Sequence, residues 1–343
     1  MAAPRVNILV RAKSHNHAIL HSARLLASVL HGAGCDVSVT AVPGGLGSSV
    51  RLQDRLSSLG RATWEYAPQL ARRYRHKLTG PWPCFDVNIH NQEIEPGWLD
   101  AARVNCLLPN QEKVFPATAA RIAEMDLVIC KTRYAEQEFG RRGYPVAFSS
   151  FTSTDRRLSG AETGKRSFLH LGLTGASKQS RVVVKAWRNH PGWPRLTFVG
   201  SEPAWRGIAA PNIRLLNRFL PTDELRQLQN AVPVHVAPSR VEGFGHRIVE
   251  AMSCAALVIT TDGPPMNELV SPERGLLVPP VGSAPEGFGL GFNVDVAGLS
   301  VAVERAITMS PAERALLGAA AREWFEANDR FFRSEVVRIV RGL

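Results

Sequence analysis

The chain has 343 residues, 45% of them hydrophobic and 21% charged, with 28 Gly and 23 Pro. That balance excludes a disordered, collagen-like or disulfide-stapled chain, and the length predicts two domains with proper cores. Lys plus Arg number 41 against 30 acids, a net charge of +11 carried mostly by Arg, which favours an anionic partner without deciding a function.

Apolar runs stay short, as in Ala255 to Ile259, against the roughly 18 residues needed to span a bilayer. The start, with only Val6 to Val10 apolar, lacks the core of a signal peptide. Cys35, Cys84, Cys106, Cys130 and Cys254 are scattered and form no C-x-x-C pair, which fits a reducing compartment. The expected location is the cytoplasm, with or without peripheral contact at the inner face of the membrane.

In chain order, Val6 to Val10 reads as a strand, His17 to Leu30 as an amphipathic helix, and Asp36 to Val42 as a second strand. Asp86 to His90, Arg103 to Leu108 and Asp126 to Cys130 are further strands with helical stretches between or after them. The polar, aperiodic segment Phe151 to Arg166 reads as a linker. A second alternation follows: strand Phe168 to Gly172, helix Lys178 to Trp187, strands Leu196 to Gly200 and Ile213 to Leu216, and helix Thr222 to Asn230. Strand Val234 to Ala237, helix His246 to Cys254 and strand Leu257 to Thr260 continue it. The tail is helical from Val296, with Ser310-Pro311-Ala312-Glu313 as a helix start. Such alternation predicts an α/β fold of two doubly wound, Rossmann-like domains facing a cleft, with ligands at the carboxyl ends of the strands. The expected division is 1–155, 156–325 and a terminal helix 326–343 packing back toward the first domain.

Residues Pro238 to Glu250 read PSRVEGFGHRIVE after a strand. The seven-residue gap between Glu242 and Glu250 means little alone; its context does more. Gly243-Phe244-Gly245 lets a ligand approach the backbone, and the helix start near His246 presents free N–H groups. Both carboxylates can then edge one pocket and accept hydrogen bonds from diols.

The longer run Pro238 to Val278 resembles the donor-site signature of retaining GT-B glycosyltransferases of family four, E-x7-E followed by a strand, a T-D-G turn and a further Glu. NCLLPNQE and DLVICKTRYAEQEF, in the first half, resemble its polysaccharide-type members. The resemblance implies a GT-B architecture and transfer of a sugar from a nucleotide-diphosphate sugar, of UDP or GDP type, to a glycan or lipid-linked acceptor. It implies that Glu250 accepts from ribose hydroxyls and Glu242 from the donor sugar, helped by the backbone of Gly243, Phe244 and Gly245. Lys178 matches the cation on the diphosphate, where it would balance the charge on the leaving group. Gly200 with Phe219 and Leu220 matches the nucleobase pocket, and Glu268 matches the later Glu, expected to organise the Gly263-Pro264-Pro265 loop.

Three departures follow from the same comparison. No Arg precedes Lys178 on the loop Gly172 to Ser177, so either Arg240 or another Arg reaches the phosphates, or the helix amides and Lys178 suffice. Arg11-Ala12-Lys13-Ser14-His15 stands where a glycine-rich loop is usual, and Asn110 to Glu112 stands where a reacting-centre His is usual. The acceptor side is therefore assigned only to His15, His17, His90, Asn110 and Glu112, with His90 equally readable as a core residue.

No D-x-D occurs, so no metal or other cofactor is expected. His15, His17 and His21 lack a completing ligand and are not read as a zinc site. Arg61 to Lys77 interleaves cations with aromatics and could lie on an anionic membrane; its stronger reading is a solvated helix, and nucleic acid is set aside. Two alternatives to transfer stay open: a sugar-nucleotide epimerase of the same fold, and a non-catalytic basic binding protein on that scaffold.

Overall fold

Runs rich in Val, Ile and Leu make the strands because both faces of a parallel sheet are covered and alternation is lost. The computed structural model describes residues 3–12, 17–43, 83–160, 167–172, 176–201, 205, 207–208 and 210–343. Its first sheet uses β1 (Arg5–Ala12), β2 (Asp36–Pro43), β3 (Phe85–Asn91), β4 (Ala102–Leu108), β5 (Leu127–Cys130) and β6 (Val146–Phe148). They lie in the order β2-β1-β3-β4-β5-β6, all parallel. Between them run α1 (His17–Gly32), the short α2 (Pro116–Ala119) and α3 (Arg133–Gly140).

The second sheet is built from β7 (Phe168–Leu171), β8 (Leu196–Gly200), β9 (Ile213–Asn217), β10 (Val234–Ala237), β11 (Leu257–Thr261) and β12 (Leu276–Val278). Its helices are α4 (Ser180–Asn189), α5 (Thr222–Ala231), α6 (His246–Ser253) and α7 (Met266–Leu269). The order is β12-β11-β10-β7-β8-β9, again parallel, so the chain reverses its direction of winding between β7 and β10. That reversal is where an open α/β sheet leaves a crevice for a ligand. An antiparallel hairpin, β13 (Gly282–Glu286) and β14 (Gly289–Asn293), then leads to α8 (Val296–Thr308) and α9 (Pro311–Arg341). Trp187, fully buried, meets Phe168 edge-on at 5.1 Å in the core of this sheet.

The contacts divide the chain into two units. One holds Met1–Lys131, Glu136–Ser149 and Arg333–Leu343; the other holds Thr132–Ala135 and Ser150–Phe332. Helix α9 runs unbroken through residue 326. Its start is the expected capping box, with Glu313 N–H donating to Ser310 Oγ at 3.2 Å and Ser310 N–H to Glu313 Oε2 at 2.7 Å. Among the described residues no helix is long and apolar enough to cross a membrane.

The segment read as a linker is tied down at its start. Phe151 and Thr152 are fully buried, and the Phe151 ring lies 4.7 Å from Phe332 and 5.7 Å from Phe244. Its hydroxyls serve as hydrogen-bond donors: Thr152 Oγ1 to Asp329 at 2.8 Å and Ser150 Oγ to Asn328 at 2.5 Å. Polarity here marks partners in α9, not exposure to water.

Three buried imidazoles, His90, His170 and His235, have their pKa pushed down to about 4, burial being the largest cause. The unfolded chain takes these protons near pH 6.5 and the folded chain does not. Stability is therefore complete above about pH 6.5 and falls toward pH 4, each imidazole contributing about 1.4 kcal/mol per pH unit. A Tm followed from pH 8 to 4.5 is expected to decline steadily below pH 6.5. A flat profile contradicts it.

Candidate donor site at the carboxyl ends of β7 and β10

After β10 the chain makes an irregular loop and enters α6 through Gly245, whose φ of +112° is left-handed. A Cβ there would also stand 2.6 Å from Leu269 Cδ1, so both backbone and space call for glycine. Gly245→Ala is expected to destabilise by about 1–3 kcal/mol, from strain and overpacking together. Thermal melting reads this as a drop of several degrees in Tm. Phe244 is buried and meets Phe151 and His246 edge-on, so its ring anchors the loop from below. Gly243 is buried beside it.

The loop and the β7 side are pinned together. Gln179, in a left-handed conformation at φ +49°, donates to Pro238 O at 2.9 Å and Phe292 O at 3.1 Å, and accepts from Val294 N at 2.9 Å. Arg240 N–H donates to Ser177 O at 2.7 Å. Lys178 therefore sits in a 3₁₀ turn (Ala176–Lys178) before α4, rather than on the helix itself as its sequence position predicts.

From that turn Lys178 Nζ donates to Glu242 Oε1 as an ion pair, and Ser239 Oγ donates to the same oxygen at 2.6 Å. Burial opposes the charge on Glu242, but the Lys178 ammonium, the Ser239 hydroxyl and the Arg247 guanidinium hold its carboxyl below the usual range. Two turns on, Glu250 is 8% exposed and accepts from Arg156 Nη2 at 2.9 Å and Gln229 Nε2 at 3.2 Å. Arg247 lies between the two glutamates in sequence and donates to Leu171 O at 2.8 Å. Burial pulls its pKa down while Glu242 and Glu250 favour the charge. Lys178, Arg247, Ser239 and His170 line a cavity of about 20 Å³, room for one water. His170 donates from Nδ1 to Val236 O at 2.7 Å and accepts at Nε2 from Ser180 Oγ at 2.8 Å, which holds the first residue of α4 in place.

Other expected residues are placed differently. Arg240 forms an ion pair with Glu286 of β13, so its charge already has a partner. Glu268 accepts from the N–H groups of Arg133 at 2.8 Å and Tyr134 at 2.6 Å, at the start of α3, and its own N–H donates to Pro265 O at 3.1 Å. Phe219 is 78% exposed, whereas Leu220 is buried among Leu169, Val199 and Val232. Gly200 ends β8 against Trp205, whose Cδ1 would lie 2.7 Å from a Cβ there.

In the first unit His90 is fully buried: Nδ1 accepts from Glu95 N at 3.0 Å and Nε2 donates to Asn105 Oδ1 at 3.3 Å. It is a core residue, which removes it from the acceptor set. His15 and the side chain of His17 lie outside the described residues, as does the segment Arg61 to Lys77. Asn110 and Glu112, past the end of β4, meet Lys131 at the end of β5, with Lys131 Nζ donating to Asn110 Oδ1 at 2.7 Å. Burial pushes the Lys131 amine down to about 8, opposed by Glu112. Arg156, Arg247, Gln179 and Lys131 were not singled out from sequence. Only Lys131, a lone Lys closing an apolar strand, left a readable signal.

Residues 166–288 match the family described as Glycosyl transferases group 1. No curated protein matches the chain. Among solved structures, sucrose-phosphate synthase from Thermosynechococcus elongatus aligns with a TM-score of 0.69 at 18% identity, covering 99% of this chain and 98% of that one. Anabaena HepE, solved in complex with UDP and glucose, aligns at 0.66 and 15% identity over 99% and 100%. WaaG, a glycosyltransferase involved in lipopolysaccharide biosynthesis, aligns at 0.66 and 13% identity over 98% and 100%. At such identities the structural likeness speaks for the fold. The chain thus has the GT-B fold of two Rossmann-like units, and its residues 166–288 match the group 1 glycosyltransferase family model.

Proposed function

We propose that this protein is a retaining glycosyltransferase that moves a hexose-type sugar from a nucleotide-diphosphate sugar to a hydroxyl of a glycan or lipid-linked acceptor. The observation that carries this reading is the Lys178–Glu242 pair at the β7/β10 reversal, with Glu250 nearby on α6. In the reaction Lys178 meets the diphosphate, and its charge counts most as the nucleotide departs. Arg247 is the second cation of the site and stands in for the Arg missing before Lys178. Glu242 orients the sugar, Glu250 holds the ribose, and the base lies between the Gly200 turn and Phe219-Leu220. Asn110 and Glu112 belong to the acceptor side. The acceptor hydroxyl attacks on the face the nucleotide leaves, its proton passes to the departing phosphate oxygen, and no protein nucleophile is used. The protein contributes position and electrostatics.

The HepE complex makes UDP-glucose the first donor to try, with a GDP-sugar beside it. Slow hydrolysis is expected, releasing the nucleoside diphosphate and a sugar whose anomeric configuration is retained by NMR. Inversion, or an isomerised donor in place of hydrolysis, defeats the proposal. With no D-x-D in the chain, excess chelator is expected to leave this rate within about twofold of its starting value. Full loss, restored by Mg²⁺ or Mn²⁺, refutes metal independence.

A further inference from the structure

Outside the donor site, the outer face of α4 forms one wall of a groove of about 470 Å³, a volume typical of small-molecule sites. Arg181, Lys185 and Arg188 stand along that wall at helical spacings of four and three, all exposed, with no Asp or Glu among the described lining residues. On α8, Glu304 lies 3.9 Å from His190, just beyond the end of α4. The facing wall is Trp205 with Gly207 and Ile208. Trp205 is 8% exposed, and its buried indole N–H meets no acceptor among the described residues. A buried donor without a partner is costly, and a shift of the Trp205 side chain, which lines the groove, would offer it to a ligand's acceptor.

We propose that this groove binds a soluble small molecule carrying two or more phosphate groups, with Arg181, Lys185 and Arg188 taking the charge and Trp205 Nε1–H donating to a phosphate oxygen. Guanidinium forks suit phosphate oxygens, and cations spaced along one helix face suit a ligand with its charge spread over several groups. Its three cations are not among the donor-site residues, whereas Trp205 also stands against Gly200, at the turn assigned to the base; the site does not depend on the activity proposed above. A positive field with no acid among its described walls also concentrates such anions before they dock.

The test is calorimetric titration of the full chain with inorganic pyrophosphate at low salt. It is repeated on Lys178→Ala/Glu242→Gln beside Lys178→Ala, on Trp205→Phe and on the triple variant Arg181→Ala/Lys185→Ala/Arg188→Ala, each first shown to be folded at the temperature of the titration. Lys178→Ala is expected to keep the binding, which sets it apart from the donor site. The triple variant is expected to weaken it at least thirtyfold and to flatten its salt dependence. Trp205→Phe keeps the wall and removes the donor, with an expected three- to tenfold loss. Undiminished binding in the triple variant, loss in Lys178→Ala alone, or no binding by the parent chain overturns the proposal. So does cosedimentation with phosphatidylglycerol vesicles without binding of free pyrophosphate.

Discussion

Lys178→Ala is expected to lower UDP-glucose turnover about 10²- to 10³-fold, the size of effect seen when one preorganised stabiliser of transition-state charge is removed. The donor KM is expected to change far less, because the diphosphate carries most charge as it leaves. The structure adds a control that the mutation requires. Removing the ammonium takes from Glu242 the largest of the groups that lower its pKa, leaving Ser239 and Arg247. A buried carboxylate losing its partner can cost about 3–5 kcal/mol. The double variant Lys178→Ala/Glu242→Gln removes that penalty and is expected to regain stability without regaining turnover. Unchanged turnover in well-folded Lys178→Ala transfers the leaving-group role to Arg247.

The second large effect separates the two glutamates. If Glu250 holds the ribose, Glu250→Gln is expected to weaken binding of free UDP as well as of UDP-glucose, by roughly ten- to a hundredfold for a lost charged hydrogen bond. Glu242→Gln is expected to leave free UDP nearly untouched while turnover falls sharply. Gln is the better replacement because its amide oxygen still accepts from Arg156, 2.9 Å away, where Ala would leave no acceptor. Calorimetry with UDP on both variants decides the matter. Equal weakening in both ends the division of roles, and no weakening in either ends the donor-site assignment.

Much of this site was legible because its residues sit in one run after one strand. Strand β10, the loop and α6 follow each other within about twenty residues, and local rules of turn and helix start apply to them. What was not legible are the partners brought in from afar. Glu242 meets Lys178 across 64 positions and Glu250 meets Arg156 across 94. Arg156 lies in a polar, aperiodic stretch that reads as a linker and so offers no clue to its partners, yet that stretch hydrogen-bonds to α6 and α9. The elements that escaped notice share a different cause. Strands β6 and β12 are three residues long, and β13 reads GSAPE, a composition that strand propensity rejects and that only pairing with β14 makes extended. His90 was ambiguous because a strand-end imidazole has the same sequence signature whether it faces a ligand or, as here, Asn105 and the chain at Glu95.

The Lys178–Glu242 pair bears on which ligands the proposed donor site passes over. A lone ammonium at a sheet reversal would collect any small oxyanion in the cell. Here its charge is already balanced by Glu242, the neighbour that the proposed function assigns to the sugar. Bare phosphate can offer Lys178 a replacement for the carboxylate, but it offers Glu242 nothing in return except repulsion. A sugar nucleotide brings both halves of the exchange, oxygens for the ammonium and hydroxyls for the carboxylate. Selectivity against abundant inorganic anions then arises before any contact with base or ribose, as a penalty that only a ligand with both functions removes.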